Sequence, residues 1–251
     1  MKYQEMIVMK SRQKLHSYAV NVEVITPQEC LQVHSVVHDL REFWINRHPF
    51  LPFYSLGTAS YFHAPSEQAD TNYSTAIKHY NPLLRKHFDW LYKRLADTLA
   101  EKLAAPTHYP DNRLALPGFH IFLAHKAFEQ PMAAIHRDLQ YRQHKWEPIE
   151  AANFSHPISF TLAIALPQSG AGMNVWDLHH EEVEQLEPSE IEQLTESKKQ
   201  HFHAYELGKI ALHSGHFVHQ IAPVQNIQPE DERITLQGHG IFFQGVLHLY
   251  W

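Results

Sequence analysis

Two side chains set the chemistry to look for. His136 and Asp138 stand two residues apart in Ala134-Ile135-His136-Arg137-Asp138-Leu139-Gln140, a stretch whose apolar neighbours predict an extended strand from Ala133 to Leu139. Alternate side chains of a strand share a face, so this imidazole and this carboxylate point the same way. They are two of the three ligands of the 2-His-1-carboxylate facial arrangement, which holds Fe(II) on one side and leaves the other coordination positions open. A third ligand must come from a histidine far away in the chain. Two other pairs share the spacing and are set aside. His87 and Asp89 fall in an apolar repeat of helical period, where residues two apart diverge, and His180 and Glu182 open an acidic run that reads as a solvated face.

Candidates for the third ligand are His213, His216 and His219, the last within Gly215-His216-Phe217-Val218-His219-Gln220-Ile221-Ala222-Pro223-Val224. His213 shares a strand face with His219 only if pairing runs unbroken through Ser214-Gly215, and a glycine turn usually interrupts it. His216 is an odd number of residues away and faces the other side. After an acidic turn comes Glu232-Arg233-Ile234-Thr235-Leu236. Arg233 offers a planar fork of donors suited to bidentate carboxylate binding, and Thr235 stands on the same strand face with a hydroxyl to add. The competing role for Arg233 is a strand-edge ion pair with Glu230, Asp231 or Glu232.

The order His136-x-Asp138, then His219 leading a short apolar strand, then Arg233 fourteen residues on, resembles the Fe(II)- and 2-oxoglutarate-dependent dioxygenase superfamily. The resemblance covers the C-terminal half, from about Leu116 to the end. It implies that His136, Asp138 and His219 hold Fe(II), and that Arg233, helped by Thr235, binds the far carboxylate of the cosubstrate 2-oxoglutarate. It also implies that dioxygen is consumed and that an unactivated C–H bond of a further substrate is hydroxylated. Halogenating members resemble this pattern but carry a small residue where Asp138 stands, so the carboxylate argues against them. A cupin-like metal-binding module without turnover is the alternative, and Arg233 discriminates, since such a module has no need of a 2-oxoglutarate anchor.

Those residues need a scaffold. Short strands separated by Pro, Gly and Asn are predicted near Phe119 to Ala124, Ala133 to Leu139, Ser159 to Leu166, Met173 to Leu178, Lys209 to His213, Phe217 to Val224, Ile234 to Phe243 and Val246 to Tyr250. Eight such strands close a double-stranded β-helix, so the expected class is mainly β with flanking α: a jelly-roll, cupin-like core over 116–251, with a charged, helix-favouring insertion at about 179–204. Residues 1–115 read as mostly helical support within one domain spanning 1–251. A strand is expected from Ser17 to Ile25. Thr26-Pro27-Gln28-Glu29 then has the form of a capping box with Pro at the first helical position, opening a helix whose apolar spacing runs to Trp44. The aromatic-rich stretch Phe50 to His63 is expected to include a strand, and Ala64 to Thr71 to be a polar loop. Pro82 to Leu103 reads as a long amphipathic helix, and both helices are expected to pack outside the sheet.

Composition limits the rest. A net charge of -6 gives no basic field for nucleic acid, no apolar run approaches a membrane span, and the single cysteine, Cys30, excludes an internal disulfide. A cytoplasmic protein acting on a small molecule, an amino acid or a metabolite built from one, is the expectation. The loop Leu139 to Trp146 is dense in cationic and aromatic groups, so Arg142 and Trp146 are candidate substrate contacts or else part of a solvated connection. Asn174 and Trp176, two apart on an expected strand, are a second candidate pair.

Overall fold

The computed structural model describes residues 19–63 and 69–251. In chain order the elements are β1 (Val20–Glu23), α1 (Pro27–Asp39), β2 (Ile45–Asn46), β3 (Phe53–Leu56), α2 (Ala69–Leu103), β4 (Thr107–His108), β5 (Gly118–Leu123), β6 (Ala152–Ala165) and β7 (Gly172–Trp176). They continue with α3 (His180–Val183), α4 (Pro188–Thr195), β8 (Gln200–Ala204), β9 (Lys209–Ser214), β10 (His219–Ile221), β11 (Glu232–Phe243) and β12 (Val246–Tyr250). The larger sheet runs β1-β9-β6-β11-β5-β3-β2, with β12 paired to β11 and to β4; the smaller runs β10-β7-β8. Every pairing is antiparallel except β12 with β4. The protein is mostly antiparallel β with few helices, consistent with a jelly-roll-like core.

The long strands of the larger sheet are buried along most of their length, and the two faces carry different chemistry. Ile158, Phe160, Leu162 and Ile164 of β6, Ile210 and Leu212 of β9, Ile234 and Leu236 of β11, and Phe119 and Ile121 of β5 join one apolar cluster. That cluster also takes Cys30, Val33 and Val37 from α1 and Leu84, Phe88, Leu91, Leu95 and Leu99 from α2. The residues between them along the same strands are His120, Ser159, Thr161, His213, Arg233, Thr235 and His239, all buried. By the two-residue period of a strand, these polar groups share the opposite face. Burying a full face of imidazoles, hydroxyls and a guanidinium is costly unless each finds a partner, so that face is where function is to be sought.

Local rules explain the start of α1. Glu29 N donates to Thr26 Oγ1 at 3.2 Å while Thr26 N donates to Glu29 Oε2 at 2.8 Å, a reciprocal capping box with Pro27 at the first turn. Its end differs from expectation: the helix stops at Asp39 rather than running on to Trp44. The Trp44 indole N–H donates to the Val37 carbonyl at 3.0 Å, taking an acceptor that a continuing helix would use itself. Thr26→Ala is expected to remove about 1 kcal/mol of stability, read as a lower urea midpoint with unchanged slope.

The second helix also departs from its predicted bounds. It begins at Ala69, thirteen residues before Pro82, and has non-helical dihedrals at Phe88. Tertiary bonds hold the added turns despite the internal proline. Asn81 donates to the carbonyls of Asp111 and Leu114 at 2.7 and 2.9 Å and accepts from Leu116 N at 3.0 Å; Tyr73 accepts from Ala115 N at 3.0 Å. The expected loop from Ala64 is thus corrected from Ala69 onward, and 64–68, like Ser17 and Tyr18 of the first expected strand, lie outside the described residues. No helix among the described residues is long and apolar enough to cross a membrane.

Candidate metal centre and its cavity

The stretch around His136 is not the strand predicted from Ala133 to Leu139. It touches the sheet at one bridge, His136 with His219, where each backbone N–H donates to the other's carbonyl at 2.9 Å, and at Asp138 N, which donates to Gly215 O at 2.8 Å. Pro131 on one side and a 3-10 turn from Gln140 on the other leave room for no longer ladder. Even so, the extended backbone puts His136 and Asp138 on one side. His136 Nε2 lies 3.7 Å from Asp138 Oδ1 and His219 Nε2 lies 3.5 Å from Asp138 Oδ2. The three ligand atoms are within 4.8 Å of one another.

Hydrogen bonds choose the tautomer of both rings. His136 Nδ1 is 2.8 Å from the Ala134 carbonyl and His219 Nδ1 is 3.0 Å from the Phe217 carbonyl. A carbonyl only accepts, so each Nδ1 carries the proton and each Nε2 keeps its lone pair toward Asp138, the arrangement of metal-ligating histidines. Burial draws His219 down to about 3, so its ring is neutral at physiological pH. Burial would raise Asp138, but His219, His239, His136 and His213 outweigh it and hold the carboxyl below its ordinary range. Two imidazole nitrogens and a carboxylate oxygen converge, a donor set that fits a divalent iron-class ion.

His213 and His216 part company here. His213 is buried with its Nδ1 on the Ser214 carbonyl and its ring edge-on to His219 at 4.9 Å, lining the same cavity without joining the three-ligand group. His216 stacks on His180 at 3.7 Å and lines a different cavity.

The cavity over the three ligands has a volume of about 410 Å³ and takes residues from both sheets, among them Ser159, Thr161, Met173, Tyr205, Ile221 and Gln237. Three of its residues carry buried polar atoms with no hydrogen-bond partner among the described residues: His120 Nδ1, Gln140 Oε1 and His239 Nε2. Their other atoms are engaged, His120 Nε2 with the Tyr61 hydroxyl at 3.3 Å and His239 Nδ1 with Ser159 Oγ at 3.2 Å. Sequence reasoning missed all three. The available signal was polar residues at alternate positions in otherwise apolar strands, His120 in β5 and His239 in β11.

Arg233 is 6% exposed and lines a neighbouring cavity of about 240 Å³, which shares Phe53 and Ile221 with the larger one. Its guanidinium lies 4.0 Å over the Phe122 ring, and burial draws it down to about 10. Two of the three carboxylates that could have paired with it are engaged elsewhere: Asp231 accepts from Gln168 N and Gln228 N at 2.9 and 2.8 Å, and Glu232 meets His34 and His38. Among the described residues Arg233 forms no ion pair, which leaves a buried cation in want of an anion. Thr235, one step along the same face, is 1% exposed and accepts from Gln237 Nε2 at 3.4 Å. A second guanidinium, Arg47, unforeseen in the sequence, lines the same small cavity and is held by Ser55 Oγ at 2.6 Å.

None of the four expected substrate contacts, Arg142, Trp146, Asn174 and Trp176, lines the cavity over the three ligands. Met173 lines the large cavity, so Asn174 and Trp176 stand on the other side of β7 by the strand period, and Trp176 packs with Leu178, Val183, Ile191 and Val218. Trp146 is buried with Leu114, Tyr141 and Tyr250, its indole N–H on the Tyr141 carbonyl at 3.0 Å. Arg142 is 3.8 Å from Glu184. The 3-10 turn from Gln140 to Gln143 carries these two away from the metal ligands, leaving Gln140 as the loop residue that reaches the cavity.

The fold is that of solved 2-oxoglutarate-dependent oxygenases, the superfamily that the residue pattern resembles. An N-substituted L-amino acid dioxygenase from Burkholderia ambifaria AMMD superposes with a TM-score of 0.60 at 12% identity, over 99% of this chain and 91% of that one. The same enzyme in complex with 2-oxoglutarate gives 0.56 at 12% identity, over 98% and 91%. The non-heme 2-oxoglutarate-dependent epimerase SnoN from nogalamycin biosynthesis gives 0.50 at 11% identity, over 94% and 82%. No protein-family model matches the chain, and no curated protein does.

Proposed function

We propose that the chain is an Fe(II)- and 2-oxoglutarate-dependent oxygenase with a double-stranded β-helix core, hydroxylating a small molecule such as an amino acid or a metabolite derived from one. The observation that carries this reading is Arg233, a buried guanidinium without an ion pair among the described residues, in a cavity adjoining the one that holds the His136, Asp138 and His219 donors. His136, Asp138 and His219 hold the metal, and Arg233, with Thr235 beside it, receives the distal carboxylate of 2-oxoglutarate. Iron, 2-oxoglutarate and dioxygen held there would supply oxidising power, one oxygen atom going into succinate as carbon dioxide is lost and the other into the substrate. The chain's own part is positional. The backbone carbonyls of Ala134 and Phe217 hold the ligand rings in one tautomer. His120, Gln140 and His239 line the cavity and give its wall polar groups suited to a polar molecule. That an enzyme sharing this fold acts on N-substituted L-amino acids supports the substrate class.

The test is titration of 2-oxoglutarate into the anaerobic Fe(II)-loaded chain, watching for the metal-to-ligand charge-transfer absorption of a bidentate 2-oxo acid, followed by a screen of metabolite extracts for substrate-dependent succinate. Absorption with succinate release and a product sixteen mass units heavier is the expected result. Absence of the absorption would return the chain to the metal-binding module without turnover.

A further inference from the structure

A second set of metal-type donors converges outside the cavity. His34 and His38 are one turn apart on α1, so their rings lie on one helix face. The Nε2 atoms of both rings lie 2.9 Å from a single oxygen, Glu232 Oε2, on the first residue of β11. The three candidate ligand atoms are within 4.8 Å of one another. The two rings stand 4.6 Å apart at 44°, and His38 is steadied edge-on by Trp44 at 5.3 Å, itself tied to the Val37 carbonyl.

We propose that His34, His38 and Glu232 form a second divalent-cation site, specific for a Zn²⁺-class ion and separate from the His136, Asp138 and His219 centre. Two imidazoles and a carboxylate are a donor set that zinc takes with a fourth position left to water. Around an ion with bonds of about 2.0–2.1 Å, tetrahedral donors stand roughly 3.3 Å apart, so the two 2.9 Å contacts to Glu232 Oε2 have to widen by only a few tenths of an ångström. A carboxylate only accepts, so in the ion-free chain each Nε2 carries its ring proton toward Glu232, and an ion binds as those protons leave or move to Nδ1. The side chains are 35%, 30% and 24% exposed, open enough for an ion to enter and for water to complete the coordination. A bound ion would tie α1 to the residue preceding Arg233. The site stands whether or not the oxygenase reading is right.

Metal content separates the two sites. Equilibrium dialysis of the full chain against Zn²⁺, and titration with Co²⁺ followed by its visible absorption, are run on His34→Ala, His38→Ala and Glu232→Gln, each in an Asp138→Ala background that weakens the other centre. The parent is expected to bind one equivalent with the intense absorption of tetrahedral cobalt and to gain thermal stability as Zn²⁺ is raised. Each variant is expected to lose that equivalent or to bind at least tenfold more weakly, with its far-UV spectrum unchanged. If His38→Ala unfolds because Trp44 loses its neighbour, His34→Ala and Glu232→Gln carry the test. A parent that binds nothing, or a folded His34→Ala or Glu232→Gln that keeps the full equivalent, overturns the proposal and leaves a hydrogen-bonded clasp between helix and strand.

Discussion

Asp138→Ala is expected to abolish Fe(II) binding at the cavity centre and to lower 2-oxoglutarate-dependent turnover by more than about a hundredfold. The floor comes from metal sites in general, where loss of a group that merely supports a ligand costs about 10–100-fold. Asp138 is itself a candidate ligand and the only anion of the three, and its oxygens are the atoms both Nε2 lone pairs approach, at 3.7 and 3.5 Å. Without it two imidazoles remain, and no other carboxylate among the described residues belongs to this ligand group. Asp138→Asn separates charge from shape, since it keeps the volume and loses the negative oxygen. Iron content after anaerobic dialysis, with succinate release as the second readout, decides the matter: full iron affinity in the Asn variant would remove Asp138 from the site. His219→Ala should match Asp138→Ala, whereas His213→Ala should be far milder. His213 lines the cavity with its Nδ1 already bonded to Ser214 and stands outside the three-ligand group.

The second large effect is at Arg233, where function and stability should move in opposite directions. Arg233→Lys loses the planar fork and Arg233→Ala the charge as well. A charge-assisted bond contributes roughly 1.5–3 kcal/mol, so the Lys variant should bind 2-oxoglutarate ten- to a hundredfold more weakly and the Ala variant more weakly still, with Fe(II) affinity little altered. In the ligand-free chain the same guanidinium is a buried cation without an ion pair among the described residues. Arg233→Met, which keeps the apolar contact with Phe122 and removes the charge, is therefore expected to raise the melting temperature of the ligand-free protein by a few degrees. Charge-transfer titration and thermal unfolding of the same three variants test both halves. Unchanged 2-oxoglutarate binding in Arg233→Ala would remove the anchor role, and a lower melting temperature for Arg233→Met would mean that the guanidinium is satisfied in the ligand-free fold.

Legibility followed burial contrast. The segments Lys209–Ser214, Glu232–Phe243 and Val246–Tyr250 were readable to within two residues because apolar side chains mark each strand. β8 was hidden inside the expected insertion, since Gln200-His201-Phe202-His203-Ala204 at an edge buries too little to carry a pattern. Pro82 misled for a related reason: proline at a helix start is a local rule, and the bonds that hold the turns before it run from Tyr73 and Asn81 to residues 111, 114, 115 and 116. For the substrate loop, local composition said that Arg142 and Trp146 were chemically capable. Only packing said that Trp146 is turned into an apolar cluster and that Arg142 sits near Glu184.

The sequence by itself determined the ingredients that are local: a His-x-Asp pair whose extended backbone puts both groups on one side, a capping box that starts α1, and an alternation that assigns Arg233 and Thr235 to one strand face. By spacing alone it left His213 and His216 beside His219 as third ligand, because a ligand is defined by where its ring nitrogen ends up and by which carbonyl takes its other proton. Those are distances between residues as far apart in the chain as His136 and His219, and pairing across the bridge is what closes them. Nor could it show that Glu232 turns away to His34 and His38, leaving its neighbour Arg233 without an ion pair among the described residues. Which charges are paired inside a protein is settled only when the chain excludes water, since desolvation and long-range neighbours, not spacing, set the cost of each buried charge.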